Sequence, residues 1–76
     1  MNIEEIKILI KESIIDAEIT VNSDDNVHFE AIIISDEFIN KTSIQRHQMI
    51  YQSLGNKMDS EIHAISIKTL TKEENK

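Results

Sequence analysis

Seventy-six residues without cysteine and with a formal net charge of −6 make at most one domain, one that buries only about 60% of the surface its unfolded chain exposes. That leaves little room for both a core and a deep substrate cavity; disulfides cannot reinforce the small core, and iron–sulfur or zinc chemistry would need thiolates from another molecule. The acidic balance argues against general nucleic-acid affinity, the apolar run 31–34 is too short to cross a bilayer, and the first five residues lack the basic start and apolar stretch of a signal peptide, so a cytoplasmic protein is expected.

Asn2 is placed to cap a first helix, with Glu5 three residues on. Ile3, Ile6, Leu9, Ile10 and Ile14 recur at helical spacing with Glu4, Glu5, Lys11 and Glu12 on the other side, which predicts a helix over roughly Ile3–Ile15. Ala17–Val21 alternates apolar with polar, as a strand with one buried face does. Asn22–Asn26 is a cluster of turn formers, and Val27–Ser35 resumes as a strand rich in β-branched residues, so Ala17–Ser35 reads as a hairpin. Ile32-Ile33-Ile34 implies that both faces of the second strand are partly covered. Asp36–Lys41 is a connection.

Thr42 and Gln45 match a capping box at the start of a second helix. At about 100° per residue, Ile44, His47, Ile50, Tyr51, Leu54 and Met58 fall within about one third of its circumference. Arg46 and Lys57 share one flank of that stripe and Met49 points away. Gly55 is a weak point near the helix end. Ile62–Thr69 is a third strand, and Thr71 with Glu74 repeats the capping signature, leaving room for one final turn with frayed last residues. The expected architecture is a single α+β domain, a two-layer sandwich of order α-β-β-α-β. Its three-stranded sheet is mixed, the second and third strands pairing in parallel through a right-handed crossover. A helix-swapped homodimer would satisfy the same pattern.

Charge is unevenly spread. From Phe38 to Met58 there is no acid, while Lys41, Arg46 and Lys57 fall there. A locally positive segment on an acidic body suits a partner with an acidic patch; simple charge scatter is the alternative.

The run Phe38-Ile39-Asn40-Lys41-Thr42-Ser43-Ile44-Gln45-Arg46-His47-Gln48-Met49-Ile50-Tyr51 resembles the F-x-G-K-S-x-x-x-R-H-x-x-[VI]-Y signature of the BolA family. Ile62-His63-Ala64-Ile65-Ser66-Ile67-Lys68-Thr69 resembles that family's I-H-A-L-S-I-K-T strand, and Val27-His28-Phe29 lies where the family carries a variable His-or-Cys loop. The resemblance covers essentially the whole chain and implies a KH-like α+β fold, in agreement with the element order. Two positions depart from it. Asn40 replaces the usual glycine, and Asn tolerates a left-handed backbone; the region after Lys72 is shorter than in many relatives. A G-x-x-G nucleic-acid clamp is excluded by the single glycine.

BolA-like proteins pair with monothiol glutaredoxins and share a [2Fe–2S] cluster with them. The resemblance therefore implies His63 as a strand-end metal ligand and His28 as a loop ligand, with the glutaredoxin cysteine and the thiol of glutathione completing the set. By spacing alone, His63 shares a face with Ile65 and Ile67 and reads as a packed strand-end histidine; His28 reads as a solvated side chain. His47 lies on the apolar stripe and is expected to be a hydrogen-bonded core or boundary residue, with Tyr51 packed beside it. Arg46 with Lys41 and Lys57 would serve partner binding, or solvation only. Phosphate loops, CxxC pairs and HExxH are missing, and no serine has a catalytic signature, so a non-enzymatic role is expected. The leading reading is an adaptor in iron–sulfur cluster trafficking or iron sensing. Its rivals are a nucleic-acid-binding transcriptional regulator using Lys41, Arg46 and Lys57, with weak binding, and a homodimerisation module.

Overall fold

The computed structural model describes residues 2–55 and 64–76. Its elements run α1 (Ile3–Ser13), β1 (Glu18–Asn22), β2 (His28–Ile34), a 3-10 turn (Asp36–Phe38), α2 (Ser43–Leu54) and β3 (Ala64–Leu70). The sheet order is β1-β2-β3; β1 and β2 pair antiparallel, β2 and β3 parallel. This is the mixed α-β-β-α-β sandwich expected from the pattern. Asn2 caps α1 by accepting the Glu5 N–H at 2.9 Å. Thr42 and Gln45 form the reciprocal capping box of α2 at 3.1 and 3.0 Å.

Both helices lie on one face of the sheet, α1 against β1 and α2, α2 against β3. Ile6 and Ile10 of α1 and its C-cap Ile14 meet Val21, Phe29, Ala31 and Ile33 of the sheet and Ile50 and Leu54 of α2, all buried. Phe38, delivered by the 3-10 turn, is fully buried in the same core. The opposite face carries Glu18, Thr20, Asn22, His28, Glu30, Ile32, Ser66 and Lys68, all exposed. Only one face is therefore covered, and the triple isoleucine misleads: Ile32 is left 37% exposed on the uncovered side.

The second helix is rotated from the orientation that its hydrophobic pattern suggests. Ile44 and Tyr51 are exposed, at 71% and 42%, while Met49 packs against the core. A helix that touches one neighbouring helix and one edge strand buries a narrow stripe. Met49, Ile50 and Leu54 occupy that stripe, which leaves Ile44 and Tyr51, seven residues apart, outside it. The helix is also shorter than its pattern suggests. Gly55 is its C-cap at φ 58° and ψ −140°, backbone that an L side chain strains to adopt, so the chain leaves the helix there. Met58 and Lys57 lie outside the described residues.

Asn40 adopts φ 64°, the left-handed turn geometry for which Asn is the usual substitute for glycine. After β3, the expected final turn forms. Thr71 and Glu74 exchange capping bonds of 3.1 and 2.9 Å, and the Lys72 N–H donates to Asp36 at 3.2 Å. The Glu74 carboxylate also accepts both Nη groups of Arg46 at 2.7 and 3.1 Å.

Candidate functional site

β1 ends and β2 and β3 begin at one end of the sheet. The chain reverses there through Ser23–Val27, and local hydrogen bonds dictate how. Asp25 Oδ1 accepts the backbone N–H groups of Val27 and His28, each at 2.9 Å. Ser23 Oγ accepts the Asn26 N–H at 2.9 Å and donates to the His28 carbonyl at 2.7 Å. Asn26 takes the left-handed conformation at φ 58° that closes the turn. His28 is therefore the first residue of β2, fixed by its own backbone, and not a free loop residue.

Its side chain is 70% exposed and its Nδ1 lies 2.9 Å from Asp25 Oδ2. That bond, with the backbone bonds from His28 and Val27, holds the Asp25 carboxyl well below the usual carboxylate range. His28 opens onto a concave surface of ≈ 640 Å³ whose lining includes Asn22, Asp25, Glu30, Ile65 and Ser66. In the parallel register His28 stands opposite Ala64. His63, which precedes Ala64 in the sequence, lies outside the described residues. Among the described residues, no three His, Cys, Asp or Glu side chains converge as a metal site.

The expected basic segment divides. Arg46 is 13% exposed in its side chain, its Nε donates to the Lys41 carbonyl at 3.0 Å and its fork faces Glu74. Its guanidinium also stands 5.9 Å from the Phe38 ring centroid. The Glu74 hydrogen bonds raise the Arg46 pKa further. Arg46 thus spends its planar donors within the chain, whereas Lys41 is exposed. His47 is half-buried, the boundary position among the two the sequence suggests, but it has no hydrogen-bond partner among the described residues.

Two contacts of candidate site residues escape sequence reasoning. Asp25 reads only as a turn former, although its position three residues before His28 is the one available signal. The Arg46–Glu74 pair spans 28 residues and leaves no local trace. No described helix is long and apolar enough to cross a membrane.

The family model for BolA-like proteins matches residues 3–74. Among curated proteins, the chain is 43% identical over 47 residues to the "DNA-binding transcriptional regulator BolA" of Haemophilus influenzae, a match covering 62% of this chain and 46% of that protein. The chain therefore spans less than half the length of that relative. Among solved structures, a BolA protein homologue from Coxiella burnetii superposes with a TM-score of 0.86 at 33% identity, over 99% of this chain and 96% of that one. The BolA domain of SufE1 from Arabidopsis thaliana gives 0.83 at 29% identity, over 93% and 92%.

Proposed function

The chain belongs to the BolA-like protein family, and we propose that it is an adaptor that binds a monothiol glutaredoxin and lends histidine to a [2Fe–2S] cluster between the two proteins. Glutathione would supply one thiol and the glutaredoxin cysteine the other, in iron–sulfur cluster trafficking or iron sensing. The role is one of binding, without catalysis.

The observation that carries this reading is His28. It is an exposed imidazole at the rim of an open concavity, with one ring nitrogen held by a carboxylate. Metal-bound histidines typically donate their other ring N–H to such a carboxylate, a carbonyl or water. The donor chemistry fits: a chain without cysteine can offer imidazole but no thiolate, so the thiolates would come from a partner. His28 and His63 are the residues that would hold the iron. When bound, the cluster supplies one-electron chemistry at a potential raised by imidazole ligation.

The test is reconstitution of the protein with a monothiol glutaredoxin, glutathione, iron and sulfide, followed by visible absorption and circular dichroism. His63→Ala should lose the spectrum of the mixed complex, and His28→Ala should weaken or shift it. A His63→Ala complex with the wild-type spectrum would remove that residue from the ligand set.

A second reading, a nucleic-acid-binding transcriptional regulator, is favoured by the printed names of the Haemophilus influenzae and Escherichia coli relatives. The net charge of −6 and the engagement of Arg46 by Glu74 count against it. Lys57, the remaining cation of the segment, lies outside the described residues.

A further inference from the structure

We infer that Asp25 is a positioning residue for His28, one whose carboxylate selects the ring tautomer that leaves Nε2 with the free lone pair a metal requires. The inference rests on the reading of His28 as a ligand and adds a residue that the family resemblance does not supply.

The argument is geometric. An ionised carboxylate can only accept hydrogen bonds. With Asp25 Oδ2 at 2.9 Å, His28 Nδ1 must be the protonated nitrogen, and in the neutral ring the lone pair then lies on Nε2. The carboxylate is itself immobilised. Oδ1 receives the N–H groups of Val27 and His28, so the group that orients the ring is bonded to the ring's own main chain. Ser23 closes the unit by bonding the Asn26 N–H and the His28 carbonyl. Both side chains are largely exposed, at 70% and 52%, where a lone histidine–aspartate contact would be loosened by water. The two backbone bonds keep the carboxylate in place regardless. Nδ1 is thus taken, and Nε2 has no hydrogen-bond partner among the described residues.

Asp25→Asn separates this role from that of the turn. The Asn side-chain oxygen still accepts the two backbone N–H groups, whereas its amide nitrogen donates to Nδ1 and forces the proton onto Nε2. In the apo protein, at a pH where the imidazole is neutral, the ¹⁵N shifts of the His28 ring should show protonated Nδ1 in the wild type and protonated Nε2 in Asp25→Asn. In the mixed complex with glutaredoxin, Asp25→Asn should lose its cluster about tenfold more readily than wild type, with a spectrum approaching that of His28→Ala. If His28→Ala changes the spectrum but Asp25→Asn does not, or if the tautomer is the same in both apo proteins, the role of Asp25 is overturned while His28 stands. If His28→Ala itself leaves the spectrum unchanged, both fall together.

Discussion

Asn40 shows how one residue can carry a turn. At φ 64° the backbone is left-handed, a state that costs an ordinary L residue about 1–2 kcal/mol and costs Asn less. Asn40→Gly is therefore expected to be neutral or slightly stabilising, and Asn40→Val to lose about 1–2 kcal/mol. Urea unfolding of the two variants checks this; equal midpoints would mean that the turn does not constrain φ. His47 is the opposite case. Being half-buried and without a hydrogen-bond partner among the described residues, it has less to lose than a core histidine. His47→Ala should cost about 1 kcal/mol or less, near the ordinary range for surface changes, and leave cluster spectra unchanged. A loss of about 3 kcal/mol, the size of a core truncation, would place it in the core after all.

At the scale of elements, the final turn is the most informative. Thr71 and Glu74 cap it, and Glu74 also ties it to the first turn of α2 through Arg46. The Arg46 hydrogen bonds, then the Thr71 backbone N–H, lower the Glu74 pKa from 4.5 to about 2. Because the folded state holds the charged form more firmly than the unfolded chain does, the contribution is full above pH 4.5. It fades as pH falls from there toward 2. Glu74→Gln keeps a capping side chain but removes the charge. Its urea midpoint should lie below that of wild type at neutral pH, and the two should converge as pH falls through that window. Solvent exposure screens the pair, so added salt should shrink the gap as well. A gap that stays constant from pH 7 to pH 2 would show that the ion pair contributes nothing.

At the scale of the whole molecule, the acidic surface governs encounters. A net charge of −6, with Arg46 engaged internally, leaves little to release counterions from a phosphate backbone. Binding of a fluorescent duplex should be weak at about 0.15 M salt and fall steeply as salt rises. Sub-micromolar, sequence-selective binding under those conditions would instead favour the regulator reading. The electrostatics fit better a partner that meets Lys41 locally than one that follows an extended basic groove.

The features legible in the residues alone are the local ones. Capping bonds reach three residues, helix and strand periods repeat within a few, and Asn40 declares a left-handed turn by its own side chain, so α1, the hairpin and both capping boxes were readable. The identity of the candidate ligands came from the match to two family motifs, since period and spacing alone left His63 a packed strand residue and His28 a solvated one. The tertiary structure decided which side of α2 faces inward. Ile44, His47, Ile50, Tyr51 and Leu54 of that helix compete for a stripe whose width is set by α1 and β3, and Ile44 and Tyr51 are left outside. It also decided that Arg46 meets Glu74 across 28 residues, and that parallel pairing sets His28 opposite Ala64. These are contacts between elements far apart in the chain. Local patterns carry no information about them, because such contacts form only when the whole core settles on one packing.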